Sequence, residues 1–247
     1  MLSKLRLNDF AVGADGRNRT LLSPFRSKTG RNQPSTSKFI FGSARFIRGL
    51  IKAPDGFGLA YIDWKSQEIG IAAALSGDGK MIDSYMSGDP YLAFAVQAGL
   101  APADATKDTH PVERQHCKAL VLGVNYGLGP DSLAAQLEII PGEARVLMVR
   151  HRETYPRYWQ WVDQILATAS LCGRLQTVFG WQLRVGAEWK PRSLQNFPCQ
   201  ANGAEMMRIA AILATEAGIE VCGPIHDAFL IVSPLDRLLT FRKCKKS

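Results

Sequence analysis

The sequence predicts an α+β fold in which a small antiparallel sheet carries a large helical insertion. A short apolar run, FGLAYI, covers residues 57–62 and predicts a buried strand. Near the other end of the chain, the runs IEVC and AFLIV flank a turn sequence at 223–227, and this pattern predicts a β-hairpin. Residues 76–190, which lie between them, carry mainly helical patterns. In a compact chain the first strand and the last hairpin are expected to pair in one sheet.

Start and stop signals divide the region between these strands into helices. Asp89-Pro90 combines an N-cap residue with a proline at the first helical position. Thr109-His110-Pro111 begins a longer helix, which is expected to run to about Tyr126 and to end at Gly127. The other predicted elements are helices at 66–75, 131–139, 141–154, 156–171 and 201–216, and a hairpin at 174–185.

Composition excludes several classes of protein. The chain has 247 residues, of which 46% are hydrophobic and 21% are charged, so it can bury a core and is not disordered. No apolar run reaches the roughly 18 residues that a membrane span requires. The opening MLSKLRLNDF has cations but no apolar segment behind them, so we expect no secretory signal. The five cysteines form no C-x-x-C pair and predict neither a disulfide framework nor a zinc site, which favours a cytoplasmic protein.

The positive charge is concentrated near the start of the chain. Residues 1–52 contain 11 Lys+Arg and 2 Asp+Glu, whereas the other 195 residues contain 19 and 20. The formal net charge of +8 therefore comes entirely from the first fifth of the sequence. A basic segment on a near-neutral body is typical of proteins that bind the phosphate backbone of nucleic acids. A solvated basic tail has the same composition, so charge alone leaves both interpretations open.

Two acidic residues occupy informative positions in the predicted sheet. Asp63 ends the first strand, and Asp227 lies in the turn of the last hairpin. An Asp at either position is also a common cap or turn residue, so each has a purely structural explanation. If the strands pair, both carboxylates converge on one edge of the sheet. That arrangement can hold two Mg²⁺ ions about 4 Å apart for in-line phosphoryl transfer.

The helix that follows Pro111 carries a second chemical signal. Arg114, Lys118, Leu122 and Tyr126 are spaced four residues apart and therefore line one stripe of the helix. Two cations followed by an apolar and an aromatic residue suit a nucleoside triphosphate, because the cations meet the phosphates and the other end meets the sugar and base. A solvated basic face remains the alternative explanation.

Four segments, in order, resemble the signature segments of family A DNA polymerases, the bacterial DNA polymerase I type. The second of them contains the specific spacing Arg-x3-Lys-x7-Tyr-Gly. The hairpin GRLQTVFGW and the upstream SKTGRNQPS are also similar to that family, so the resemblance runs from about Thr29 to Ser233. The four segments are GLAYIDWKSQEIGIAAALSGD, ERQHCKALVLGVNYG, SLQNFPCQANGAEMM and IHDAF.

The resemblance implies roles for the matching positions. Asp63 and Asp227 match the carboxylates that bind two Mg²⁺ ions, and Arg114 and Lys118 match the catalytic cations that hold the incoming triphosphate. For the substrate, Glu68 matches the carboxylate that crowds the sugar 2′ position and so favours deoxynucleotides. The other residues implied to bind the nucleotide are Gln67, Leu122 and Tyr126, of which Tyr126 lies beside the template base. The residues implied to contact primer–template DNA are Arg31, Arg192, Asn196, Gln200 and His226. Simple capping is an alternative explanation for Asn196 and Gln200.

The sequence departs from the family pattern at several of these positions. The first segment reads DWKSQE rather than DYSQIE, which keeps the Glu spacing but moves the Gln by one residue, and Gly70 stands where the family usually has Arg. Leu122 replaces an aromatic residue that packs on the incoming sugar, which leaves nucleotide selection open. Ala228 replaces the usual Glu after His-Asp and so removes an auxiliary carboxylate.

The resemblance also implies a division into polymerase palm and fingers. We expect the thumb and exonuclease domains to be absent, because no segment of the chain corresponds to them; whether a second chain supplies a thumb stays open. The implied boundaries are a basic N-terminal arm at 1–28, a first part of the palm at 29–75, fingers at 76–190 with a nucleotide-binding helix at about 111–126, a second part of the palm at 191–235 and a short basic tail at 236–247.

The expected function is template-directed DNA synthesis on a primer 3′-hydroxyl, with primer–template DNA and dNTPs as partners, two Mg²⁺ ions as cofactors and no membrane. Two alternatives remain. A catalytically inactive DNA-binding remnant would account for Ala228 and the short segment after Ser233. A single-subunit RNA polymerase shares the palm and a Lys…Tyr-Gly helix, although an acid at Glu68 would collide with a ribose 2′-hydroxyl.

Overall fold

The computed structural model describes residues 10, 12–34, 39–42, 45–186 and 188–238. The parts of the predicted N-terminal arm at 1–9 and 11, and most of the predicted basic tail, at 239–247, lie outside the described residues. The chain divides into two compact units. The first unit combines Met1–Lys65 with Ala204–Ser247, and the second consists of Ser66–Gly203. Among the described helices, none combines the length and the apolar character that a membrane crossing requires.

Most of the elements follow one another in the predicted order, but the helix at Gly79–Met86 and the short strands at Leu22–Ser23 and Gln33–Pro34 have no predicted counterpart. The described strands are β1 (Leu22–Ser23), β2 (Gln33–Pro34), β3 (Phe57–Asp63), β4 (Arg174–Gln176), β5 (Gln182–Arg184), β6 (Glu220–Ile225) and β7 (Ala228–Pro234). The described α-helices are α1 (Gln67–Ser76), α2 (Gly79–Met86), α3 (Pro90–Gln97), α4 (Pro111–Asn125), α5 (Pro130–Leu137), α6 (Pro141–Thr154), α7 (Pro156–Cys172) and α8 (Pro191–Glu216). Short 3₁₀ segments cover Ile40–Gly42 and Arg45–Leu50.

The first unit is built on an antiparallel sheet with the strand order β3-β7-β6. In the register of β3 and β7, Phe57 lies opposite Pro234 and Asp63 lies opposite Ala228. This pairing confirms the prediction that the first strand joins the last hairpin, although most of the chain separates them. Met207, from the part of α8 that belongs to this unit, packs with Phe229 and Ile231 of β7 in a hydrophobic cluster. Burial of that cluster fixes which face of the sheet points inward.

The second unit is mainly helical, and two clusters form much of its interior. One cluster surrounds His151, which is fully buried among the rings of Phe94, Tyr155, Tyr158 and Trp159. Burial lowers the pKa of His151 to about 3, and its Nδ1 accepts a hydrogen bond from the Trp159 indole at 3.1 Å. The other cluster joins α7 and the β4–β5 hairpin to the first half of α8; its buried members are Ile165, Ala169, Leu175, Leu183, Leu194, Phe197 and Ala201.

The helices that were predicted begin and end close to the residues that their signals indicate, except for α8. Asp89 caps α3 by accepting a hydrogen bond from the Leu92 amide, as predicted. The prediction that α8 begins at about Ala201 is wrong, since the helix begins ten residues earlier, at Pro191. Pro198 lies inside the helix, where a proline normally interrupts the backbone hydrogen bonds. Burial of Leu194 and Phe197 stabilises the helical turn that the proline weakens.

Asp78 caps two helices at once and should be a major contributor to the stability of the second unit. Its side chain is almost fully buried, and it accepts hydrogen bonds from the Met81 amide in α2 and from the Arg157 and Tyr158 amides in α7, at 3.1–3.2 Å. We expect Asp78→Ala to lower the free energy of unfolding by about 3 kcal/mol, because it leaves three amides without their acceptor. Urea denaturation measures the change. Asp83→Ala, at an exposed position in α2, is the matched control and should change stability by about 0.5 kcal/mol or less.

Candidate functional site

Two carboxylates lie at one end of the sheet in the first unit. Asp63 is the last residue of β3, and Asp227 is the second residue of the two-residue turn between β6 and β7. The backbone ties these positions together, because the Trp64 amide donates to the Asp227 carbonyl at 3.1 Å. Partial burial, and then the negative charge of Asp227, raise the pKa of Asp63. The two side chains therefore repel each other, and a cation between them would relieve the repulsion.

The donor set at this position fits Mg²⁺. Carboxylate oxygens are the ligands that hard divalent cations prefer, and Mg²⁺ usually completes its coordination with water and phosphate oxygens. In the described part of the chain, no group of three or more His, Cys, Asp or Glu side chains could hold a metal ion. Asp63 and Asp227 could therefore supply two carboxylate ligands to such an ion.

Arg31 contacts the same sheet end from the loop between β1 and β2. Its guanidinium donates to Oδ1 of Asp227 at 3.1 Å, and both side chains are about one-third exposed, at 30% and 34%. His226, the first residue of the turn, has a backbone φ of 54°, a value that residues other than glycine seldom adopt. The turn thereby holds His226 and Asp227 next to each other at the end of the sheet, in a backbone conformation that carries conformational strain.

The cationic stripe of α4 lies in the second unit. Nε of Arg114 forms an ion pair with Oδ2 of Asp89 at 2.6 Å. The guanidinium of Arg114 and the ammonium of Lys118 both lie over the ring of Tyr91, at 5.7 and 5.9 Å from its centre. The ion pair and the shared ring hold the two cations on one side of the helix. Asp89 therefore has a second role that its N-cap pattern did not indicate.

A cavity of about 320 Å³ adjoins the other end of this stripe. It brings together Lys118, Leu122 and Tyr126, three of the four predicted stripe residues, and Arg114 does not line it. No sequence pattern indicated its remaining lining residues, which are Gln115, Ala119, Gly123, Leu128 and Gln136. An apolar floor with a few amide groups and one ammonium is typical of small-ligand pockets.

Glu68, Tyr126 and Gln200 form a hydrogen-bonded group in the second unit. The Tyr126 hydroxyl donates to Oε1 of Glu68 at 2.8 Å, and Nε2 of Gln200 donates to the Tyr126 hydroxyl at 3.1 Å and to Glu68 Oε1 at 3.5 Å. Glu68 is only 8% exposed. Its position in the first turn of α1 places the carboxylate near the positive end of the helix dipole. The group fixes the orientation of the Glu68 side chain.

The other predicted residues in this unit are packed among α8 and its neighbours. Arg192 approaches the backbone so closely that a Cβ on Gly127 would lie 2.9 Å from its Cγ, which explains the glycine. Gln67 is buried, and its Nε2 donates to the Gly203 carbonyl at 3.5 Å. Asn196 is also buried. Within the described residues, Gln67 Oε1 and Asn196 Oδ1 have no hydrogen-bond partner.

Gln195 is a residue that sequence analysis missed. Its Nε2 donates to the Val124 carbonyl at 2.7 Å, in the last turn of α4 and two residues before Tyr126. The bond joins residues 71 positions apart, so no local pattern could have indicated it. The same carbonyl also accepts from the Gly127 amide at 2.9 Å, so Gln195 adds a second hydrogen bond at the end of α4.

The described residues include an antiparallel sheet with paired carboxylates at one end and a helix that carries Arg and Lys one turn apart and is followed by Tyr-Gly. Residues 33–244 match the profile of DNA polymerase family A, and the chain belongs to this family. The family predicted from the sequence is confirmed.

Curated relatives and a solved structure agree with this assignment. The chain is 27% identical over 206 residues to a thermostable DNA polymerase I of Thermus thermophilus, covering 77% of this chain and 24% of that protein. In an alignment of 256 positions it is 27% identical to DNA polymerase I of Chloroflexus aurantiacus, covering 94% of this chain and 26% of that protein. The chain thus spans about a quarter of the length of these relatives.

The POL domain of Pol1 from M. smegmatis, solved in complex with DNA primer-template and dNTP, has a similar fold. Its TM-score is 0.82 with 24% sequence identity, and the match covers 96% of this chain and 45% of that one. At this identity the similarity concerns the fold. The predicted α+β class, with an antiparallel sheet and many helices, is confirmed.

Proposed function

We propose that this chain carries template-directed DNA polymerase activity and transfers a deoxynucleotide from a dNTP to a primer 3′-hydroxyl. Membership of family A supports the proposal. The observation that carries it is the register of β3 and β7, which sets Asp63 opposite Ala228 and so beside Asp227. Two carboxylates that meet at one end of a sheet can hold the pair of divalent ions that two-metal, in-line phosphoryl transfer uses.

Asp63 and Asp227 would hold two Mg²⁺ ions. When bound, these ions would supply Lewis-acid activation of the primer hydroxyl and charge stabilisation for the leaving pyrophosphate. Arg31 would exchange its contact with Asp227 for the minor groove of the primer–template near the primer end. His226, in the same turn, would also lie close to the primer terminus. In the second unit, the residues that would contact the DNA are Arg192, Asn196 and Gln200.

The second unit would bind the incoming nucleotide. Lys118 and Arg114 would neutralise the triphosphate, and charge-assisted contacts of this kind strengthen as charge develops in the transition state. Leu122 and Tyr126, which line the cavity together with Lys118, would meet the sugar and base. Glu68, held by Tyr126 and Gln200, would close the space beneath the sugar 2′ carbon and so select deoxynucleotides. Gln67 would support this wall from the adjacent position of α1.

Extension of a labelled primer by the purified chain tests the proposal. We expect Mg²⁺-dependent extension with dNTPs, little extension with NTPs, and none in the presence of EDTA. Tight binding of the primed duplex with no extension under any condition would favour the inactive remnant, for which the small, buried Ala228 beside Asp227 is the relevant observation. Preferential use of NTPs would favour an RNA polymerase.

The basic N-terminal arm should contribute to DNA affinity through its exposed cations. Arg26 and Lys28 are exposed. Each phosphate contact contributes about −0.9 to the slope of log K against log salt. Joint replacement of Arg26 and Lys28 by glutamine should therefore make the slope less steep by about 1–2.

A salt titration of duplex binding measures this change. The matched control is Arg145→Gln, which removes a cation from the exposed surface of α6 in the second unit. An unchanged slope in the Arg26 and Lys28 variant would mean that the arm is solvated and takes no part in DNA binding.

A further inference from the structure

The loop between β1 and β2, residues 24–32, presents Arg31 to the sheet end of the first unit. A tight turn shapes the loop: the Gly30 amide donates to the Ser27 carbonyl at 2.8 Å, and the Ser27 and Thr29 hydroxyls are 2.9 Å apart. Gly30, the last residue of this turn, has a φ of 70°, a backbone conformation that glycine adopts without strain. Each strand that closes the loop has only two residues, so the strands alone provide few hydrogen bonds to hold it.

Arg208 of α8 contacts this loop at two points. The central carbon of its guanidinium lies 4.3 Å from the centre of the Phe25 ring, within the range of a cation–π interaction. Its Nη2 donates a hydrogen bond to the Gly30 carbonyl. A guanidinium can make both contacts together, because it stacks through its face and donates through its edge.

The backbone of the loop requires such support. Phe25 has a φ of 65°, in the left-handed region that bulky side chains rarely adopt, and its side chain is 55% exposed. A conformation of this kind persists when surrounding contacts hold it in place. The Arg208 guanidinium supplies one such contact at Phe25 and another at Gly30, on the two sides of the turn.

We propose that Arg208 is a positioning residue that anchors the 24–32 loop and thereby holds Arg31 against Asp227, at the sheet end assigned to the primer terminus. Arg208 acts through Arg31 and not through a DNA contact of its own. The anchoring follows from contacts within the first unit, and its effect on DNA rests on the proposed function.

The anchoring itself is tested without DNA, by hydrogen–deuterium exchange. In Arg208→Ala the Gly30 amide, which donates to the Ser27 carbonyl, should exchange about tenfold faster, since both contacts to the loop are lost. Arg208→Lys keeps the charge but not the planar fork, so it should restore at most part of the protection. Arg237→Ala removes a cation from an exposed position in the same unit and should leave exchange in the loop unchanged. Unchanged exchange in Arg208→Ala, or full protection in Arg208→Lys, would overturn the anchoring.

A double-mutant cycle with Arg31 tests the effect on DNA. Arg31→Ala and Arg208→Ala should each weaken binding of the primed duplex by about tenfold, and the double variant should bind as weakly as Arg31→Ala alone. Additive losses would show that Arg208 acts independently of Arg31, and would overturn the positioning role. If the original chain binds no primed duplex but the exchange results are as expected, the anchoring of the loop by Arg208 is supported and the proposed function is wrong.

Discussion

Replacement of Asp227 by alanine is expected to lower primer extension by about 1,000-fold or more, with duplex binding changed only a few-fold. The expected loss is large because the change removes one of the two side chains assigned to the metal ions. DNA affinity should persist, since phosphate contacts supply most of it and Asp227 makes none in this account.

Single-turnover extension and duplex binding should be measured on the same preparations. Asp63→Ala should behave like Asp227→Ala, because both acids serve the same ions. Asp55→Ala, at an exposed position before β3, is the control and should extend the primer normally. Near-normal extension by either acid variant would make the two-metal assignment wrong. A parallel loss of duplex binding would instead mean that the acids serve the structure of the sheet end.

Replacement of Glu68 by alanine should raise the use of ribonucleotides relative to deoxynucleotides by about 100-fold. A side chain that excludes a ribose 2′-hydroxyl sterically can discriminate between the two sugars by a few kcal/mol, and this replacement removes that side chain. The rate of dNTP incorporation should change by less than this ratio does, since Gln200 still donates to the Tyr126 hydroxyl and keeps that ring in place.

Two further variants separate the size of Glu68 from its charge. Glu68→Gln retains the side-chain volume and an oxygen that can accept from Tyr126, so its selection of deoxynucleotides should stay close to that of the original chain. Glu143→Ala removes an acid from an exposed position in α6 and controls for net charge. The readout is the ratio of rNTP to dNTP incorporation in single-nucleotide assays. An equal ratio in Glu68→Ala and the original chain would exclude Glu68 from sugar selection.

The parts of the fold that depend on local patterns could be predicted from the sequence. The apolar runs at β3 and at the last hairpin indicated their pairing, and Asp89-Pro90 indicated the start of α3. The start of α8 could not be predicted, because Pro198 disfavours a helix locally and only tertiary burial of Leu194 and Phe197 stabilises one. Propensity is a weak guide wherever packing decides the outcome.

Contacts in the site between residues that are far apart in the sequence could not be predicted from sequence patterns. The resemblance identified Glu68, Tyr126 and Gln200 separately, but their mutual hydrogen bonds span 58 to 132 positions and depend on how the helices pack. The second role of Asp89, as partner of Arg114, was hidden by its N-cap pattern. Arg208 gave no signal at all, because its contacts with Phe25 and Gly30 exist only after α8 and the loop have folded.

Template dependence of single-nucleotide incorporation tests the central claim most directly. Four primed duplexes that differ only in the first unpaired template base are each offered one dNTP at a time, with Mg²⁺ and the purified chain. The account predicts that the complementary nucleotide is added on each template and that Asp227→Ala adds none. The account would be contradicted by incorporation that does not depend on the template base, or by a chain that binds all four duplexes and incorporates no nucleotide.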